Sequence, residues 1–158
     1  MVATPQNSIE QRLQAVEDEL AIIRLIASYG PMVDTGLPDL APQLFADDGF
    51  YDVSVGRLEG PDAVRAMLSS DEHQTVVRQG IAHVMGMPFV TIDGDKATAV
   101  NATQLFLRES DGYRIFRIAQ NLWNLAREGG RWKIVGRYNR LIGDDDEARL
   151  LLVSAMTD

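Results

Sequence analysis

Two histidines and a few polar neighbours carry most of the chemistry open to this chain. His83 lies in the run IAHVMGMPFVTI, where strand alternation puts Ile81, Met85, Met87 and Phe89 on its own face. An imidazole on an otherwise apolar face has two readings. It is either a core histidine bonded to backbone or carboxylate, or a general base kept largely neutral near pH 7. In the second case its free pKa of ~6.5 falls on desolvation and rises beside a carboxylate. Asp34 follows Met32-Val33, just after Gly30-Pro31. Thr35-Gly36 beside it suits a solvated turn aspartate. Turned inward, its carboxylate would instead accept the His83 N–H, fix the tautomer and stabilise the imidazolium. Tyr29 is a core or rim tyrosine, or a hydroxyl donor to a substrate oxygen. Asn121 shares a strand face with Ile115, Ala119, Trp123 and Leu125, so its amide either pairs with backbone or meets a ligand. Arg140 reads as a surface or interface cation, with anchoring of an acidic ligand as its alternative role. His73, within SSDEHQT, reads as a solvated histidine in a polar loop.

Composition narrows the chemistry further. The 158 residues include no cysteine, which removes thiolate nucleophiles, disulfides and zinc–sulfur sites. The two histidines are not at HxH or HExxH spacing, and no glycine-rich phosphate loop opens a helix. A net charge of −8 disfavours nucleic acid as a partner. No apolar run approaches the ~20 residues of a spanning helix, and the opening MVATPQNS lacks the order of a signal peptide. The expectation is a cytoplasmic protein without metal or cofactor, acting on a small molecule through ordinary side chains.

The elements that would position these residues follow from periodicity. Ile9, Leu13, Val16, Leu20, Ile23 and Ala27 recur at steps of three and four, which predicts an amphipathic helix from Ser8 to Ser28. Ser8 and Gln11 form a capping box, and Pro31 should bend or break the helix just before Asp34. Further helices are expected over Asp39–Phe45 and Asp62–Leu68, with Asp47-Asp48-Gly49 turning the chain between helix and sheet. Strands follow at 50–55, 81–92, 96–108, 113–126 and 131–141, joined by glycine-bearing turns. Asp144 to Glu147 would place negative charge at the start of a last helix, Arg149 to Met156. Helices first and a meander of long strands after them is an α+β order, read as one domain over 1–158. A strongly curved antiparallel or mixed sheet, wrapped by three N-terminal helices into a cone, leaves a concave face to fill or to bind a ligand.

The string AIIRLIASYGPMVDTGLPDLAPQLFADDGFYD resembles the opening of SnoaL-like proteins of the nuclear transport factor 2-like superfamily. GRWKIVGRYNRL is similar to their last strand. The resemblance runs from about Ile9 to Ile142 and is closest to the scytalone dehydratase, bile-acid 7α-dehydratase and hexachlorocyclohexane dehydrochlorinase type. It implies an Asp34–His83 catalytic pair, a catalytic role for Tyr29, a substrate-binding role for Asn121, and a pocket role for Arg140. Three positions depart from scytalone dehydratase. QLFLR supplies no second active-site histidine, Val53 stands near a tyrosine position, and Ala119 stands where a serine is found.

The function implied is a cofactor-independent lyase of dehydratase-like kind, or an isomerase, with His83 abstracting a proton beside a carbonyl or leaving group. Met85, Phe89 and Trp123, with Met32, Met67, Met87 and Phe106, would form an adaptable wall for a flat cyclic or polycyclic apolar substrate. The alternatives are a non-catalytic ligand-binding or association module, and a small subunit of a ring-hydroxylating dioxygenase. Residues 131–141 put Trp132, Ile134 and Tyr138 on one side of a strand and Val135 and Leu141 on the other. Both faces then want cover, so a homo-oligomer, dimer or trimer, is expected.

Overall fold

The structure, a computed structural model, describes residues 8–54, 56–143 and 146–156. The expected positions Val55, Asp144 and Asp145 lie outside the described residues. A long helix α1 (Ile9–Asp34) opens the fold, and a short 3-10 turn (Ala41–Leu44) leads into β1 (Phe45–Val53). Then come β2 (Gly56–Glu59), α2 (Gly60–Ser69), α3 (Asp71–Gln79), β3 (Ile81–Met85) and β4 (Phe89–Asp93). The chain ends in β5 (Lys96–Glu109), β6 (Gly112–Glu128), β7 (Arg131–Leu141) and α4 (Glu147–Met156). The seven described strands form one curved sheet in the order β2-β1-β7-β6-β5-β3, and β4 pairs with the same strand as β3. β1 and β7 run parallel and every other pairing is antiparallel, giving a mixed sheet in an α+β fold. No described helix is long and apolar enough to cross a membrane.

Four local differences from the sequence expectation share a cause, because tertiary packing overrides a local signal. First, Pro31 does not end α1. The helix continues to Asp34, because Ile26, Tyr29 and Val33 bury one face against the sheet, which outweighs the missing proline N–H. Second, the buried face of α1 is Asp18, Ile22, Ile26, Tyr29, Gly30 and Val33, not the stripe through Ile9, Leu13, Val16 and Leu20. Third, the Asp39–Phe45 helix reduces to the 3-10 turn Ala41–Leu44. Asp47-Asp48-Gly49 lies inside β1, where the register with β7 slips between Phe45 and Phe50. Fourth, SSDEHQT is helical. Ser70 caps α3 by accepting from the His73 backbone N–H at 3.2 Å, and Gly80 closes it in left-handed conformation.

The sheet departs from strict alternation at places that decide what faces inward. The expected strand 81–92 is broken at Gly86-Met87-Pro88. Met85 packs on the core from β3, and Val90 and Ile92 do so from β4, so the inward parity changes across the break. Phe89 therefore points away, 53% exposed, and Met87 with it. A register shift between β6 and β7 leaves Val135 without a partner between Ile134 and Gly136. Before it, Trp132 and Ile134 face the core; after it, Arg137 and Asn139 do, and Tyr138 turns to the other face against Phe50. Gly136 permits this, because a Cβ there would lie 2.7 Å from the Phe50 ring.

Candidate active site

The C-terminal end of α1 is pressed onto β3. A Cβ on Gly30 would lie 2.8 Å from the His83 carbonyl oxygen, so glycine is needed for this approach. Asp34, one turn further along, then meets His83 with both carboxylate oxygens. Oδ2 accepts from the His83 backbone N–H at 2.8 Å, and Oδ1 lies 2.6 Å from its Nδ1. A carboxylate can only accept, so Nδ1 carries a hydrogen, and in the neutral ring the lone pair is then on Nε2. Backbone and ring are thus held by one side chain, which fixes the imidazole orientation. Both side chains are partly buried, at 12% and 21% exposure for His83 and Asp34. His83 Nε2 has no hydrogen-bond partner among the described residues.

His73 belongs to this neighbourhood. Its half-buried ring is near enough to feel Asp34 and His83, and its Nε2 is buried with no hydrogen-bond partner among the described residues. Burial holds the His73 ring below the usual imidazole range. The charge of His83 acts in the same direction, while the Val33 backbone and Asp34 oppose. The expectation of a solvated loop histidine is corrected, because the helix α3 turns the ring toward α1.

A second polar cluster lies in the core. Arg137 is 2% exposed and its guanidinium carbon sits 4.1 Å from the Tyr29 ring centre, 4.3 Å from Tyr51 and 4.4 Å from Trp123. No carboxylate pairs with it among the described residues. Its hydrogen bonds go to a neutral oxygen, Asn121 Oδ1, from Nη2 at 2.9 Å and Nε at 3.3 Å, and Nη1 is buried without a partner among the described residues. A buried cation ordinarily needs a counter-ion. Here three aromatic faces and one amide stand in for it.

Asn121 is the hub of this cluster. Its oxygen also accepts from Asn139 at 2.8 Å, and its nitrogen donates to Thr103 Oγ1 at 2.7 Å. The amide is fully buried, so its groups position Arg137 and are not free for a ligand. Trp123 donates to Asn101 at 2.8 Å and belongs to the core, one wall of the arginine cage. Tyr29 is on the inner face of α1, about 140° around the helix from Asp34 at 100° per residue. Burial pushes its hydroxyl above the ordinary tyrosine range and outweighs the opposing Arg137 charge, so it stays a hydrogen-bond donor at neutral pH.

The remaining candidates separate. Met85 neighbours the pair, its sulfur 3.5 Å from Thr103 Oγ1, which joins the dyad side to the Asn121 cluster. Phe89 lies on the outer face. Arg140 is a strut between β1, β7 and α4, with ion pairs to Asp52 at 2.6 Å and Glu147 at 2.9 Å, so its charge is already answered. Ile115, expected beside Asn121, is exposed, because the register slips between Leu105 and Phe106. Two surface clefts, of about 520 Å³ beside Asp18 and Arg127 and about 130 Å³ beside Ala148, contain neither Asp34 nor His83. Among the described residues no three His, Cys, Asp or Glu gather as a metal site would require.

A family model described as "SnoaL-like domain" matches residues 14–138. The chain is a SnoaL-like protein. Among solved structures, an NTF2-like protein with a cystatin-like fold from Novosphingobium aromaticivorans superposes with a TM-score of 0.89 at 32% identity. The match covers 94% of this SnoaL-like chain and 99% of the other. A Mycobacterium tuberculosis protein of unknown function matches at 22% identity and TM-score 0.73, over 98% and 96% of the chains. The beta subunit of a candidate aromatic-ring-hydroxylating dioxygenase from Novosphingobium aromaticivorans shares the fold at 20% identity and TM-score 0.67, over 84% and 94%. Among proteins of curated function none matches this SnoaL-like chain in sequence.

Arg137 and His73 are the residues that sequence reasoning missed. The signal for the first was Gly136 inside a strand, where a bulge or close approach is expected. The signal for the second was a complete helix grammar: Ser70 as cap, Asp71 and Glu72 in the first turn, Arg78 in the last, and Gly80 beyond it.

Proposed function

We propose that this SnoaL-like protein is a cofactor-independent lyase of dehydratase-like kind, or an isomerase, acting on a small, largely apolar cyclic or polycyclic substrate. The observation that carries the reading is the Asp34 carboxylate bridging the backbone N–H and Nδ1 of His83 at 2.8 and 2.6 Å. With Nδ1–H committed to Asp34, His83 Nε2 is the base. It takes a proton from carbon next to a carbonyl or leaving group, and Asp34 offsets the imidazolium charge. In elimination the C–H electron pair becomes the new double bond. The hydroxyl leaves, taking up the abstracted proton to depart as water. In isomerisation the proton returns at another carbon. The unpaired Nη1 of Arg137 and the protonated Tyr29 hydroxyl are suited to a developing oxyanion, because both donate from a low-dielectric interior. Met32, Met67 and Met85, partly buried against the core, supply adaptable apolar surface for the substrate.

The test is a turnover panel of cyclic β-hydroxy ketones and related alcohols, followed by ultraviolet absorbance of the conjugated product. Activity in the wild type, lost in Asp34→Asn and His83→Ala with unfolding unchanged, supports the reading. Turnover that is indifferent to both substitutions, or a stable complex with a large oxygenase subunit and no turnover alone, overturns it.

A further inference from the structure

The first ten described residues of the chain pose a physical problem that the active site does not touch. Ser8 and Gln11 form a complete capping box at 2.8 and 3.2 Å, so α1 starts at a defined point. Yet every residue from 8 to 17 is exposed, and Asp18 is the first to be buried. This stretch is nonetheless apolar along one line: Ile9 is 80% exposed, Leu13 56%, Val16 55% and Leu20 50%. A helix that projects with an uncovered apolar line gains little from its own body, and short helices are marginal without packing.

The line has the spacing of a coiled-coil seam. Ile9, Leu13, Val16, Leu20, Ile23 and Ala27 recur at 4-3-4-3-4, leucine or alanine alternating with β-branched residues, as d, a, d, a, d, a of a heptad. It lies about 125° around the helix from the buried face, at 100° per residue, so one helix packs on its own sheet and offers the second face outward. The flanking charges then fall at e and g: Glu10, Glu17 and Arg24 at e, Arg12 and Glu19 at g. In a parallel, in-register pairing the g residue of one chain meets the following e residue of the other. Arg12 would face Glu17 and Glu19 would face Arg24, two attractive pairs repeated by symmetry. An antiparallel pairing of the same overlap pairs Glu10 with Arg24 but sets Glu17 against Glu17 and Glu19 against Glu19.

We propose that the outer stripe of α1 is a self-association surface whose occupant is the same stripe of another copy of this chain, parallel and in register. The complementarity of the g and e charges with their own copy singles out that occupant, since a foreign partner gives no reason for the sequence to match itself. Leucine at a with isoleucine or valine at d favours three or four strands over two. The apolar outer face of the sheet, with Val84, Met87 and Phe89, is a separate surface and has no such match.

The test is the solution mass of the full chain by light scattering after gel filtration, over a hundredfold range of concentration. The wild type is expected at a multiple of 17.5 kDa. Leu13→Glu combined with Val16→Glu is expected to give the single-chain mass with a cooperative unfolding transition retained at a concentration-independent temperature, since both positions are exposed within one chain. Glu17→Arg alone should weaken association roughly tenfold, and Arg12→Glu in the same chain should restore it. A wild type of single-chain mass throughout overturns the proposal. So does an oligomer untouched by the Leu13 and Val16 substitutions, which would move the contact to the sheet. Failure of Arg12→Glu to rescue Glu17→Arg overturns the parallel register.

Discussion

The Asp34–His83 pair and the Arg137 cluster both border the C-terminal end of α1, at Asp34 and at Tyr29, and answer a partly or wholly buried charge in opposite ways. At the first, an acid and a potential cation meet directly, each answering the other, and one ring nitrogen is left uncommitted. At the second, a permanent cation has no anion among the described residues and is held by three aromatic rings and an amide, with one nitrogen unsatisfied among them. The difference teaches what each is built for. A paired group has a fixed geometry and a proton to exchange. An unpaired buried cation keeps most of its field for whatever negative charge comes near.

The sharpest way to break this comparison is to remove each partner in turn. His83→Ala and Asp34→Asn should each lower kcat by about 10²–10⁴-fold while thermal unfolding is nearly unmoved, because both side chains touch solvent. If melting falls as steeply as turnover, the pair is structural. Arg137→Met keeps the bulk and discards the charge. Turnover should drop by about 10²–10³-fold, with stability equal to or above wild type, since replacing a buried ion by an apolar side chain is often neutral or stabilising. A stable, fully active Arg137→Met protein would deny the cluster any part in catalysis.

Asn121→Ala probes the amide that holds Arg137. It leaves a buried guanidinium without its oxygen and should cost about 3 kcal/mol of unfolding free energy in urea titration. Asp18 provides the paired contrast, for it accepts from Arg127 at 2.6 Å and from Trp132 at 3.2 Å. The Arg127 hydrogen bond holds its carboxyl below the usual carboxylate range, against the opposing effect of burial. A lowered folded pKa gives stability that is present above the unfolded value of ~3.9 and lost as pH falls through the folded value. Asp18→Asn should therefore cost about 1–3 kcal/mol at pH 7, with the deficit shrinking as the pH falls below ~4.

The smallest effect concerns His73. Its folded pKa is lowered by burial, so the unfolded chain takes up a proton first as pH falls below ~6.5. Stability is lost from there down through the folded value. His73→Gln should flatten the stability profile between pH 7 and 5 relative to wild type, read from unfolding midpoints. An unchanged slope would mean that the ring is solvated in both states.

How much was legible depended on which interactions were local. The capping box at Ser8, the glycine turns, the α+β order and the meander of long strands are set by neighbours within a few residues, and they stand in the structure. The approach of Asp34 to His83 was readable from residue type and from resemblance, although its bridging geometry was not. What failed were inferences that carried strict alternation across an unseen irregularity. One extra residue at Val135 exchanges Tyr138 for Arg137 on the inner face, and the break at Gly86–Pro88 exchanges Phe89 for Val90. The stripe of α1 failed for another reason. A helix can carry two apolar lines, and only the sheet chooses which of them it covers.

By itself, then, the order of residues settled the kinds of element, their sequence along the chain and the side chains able to exchange protons. The tertiary structure alone decided which charge is answered and which is not. A bulge costs one residue locally, yet it rotates every later side chain on its strand by half a turn. The burial of Arg137 is settled by that rotation together with three rings drawn from α1, β1 and β6.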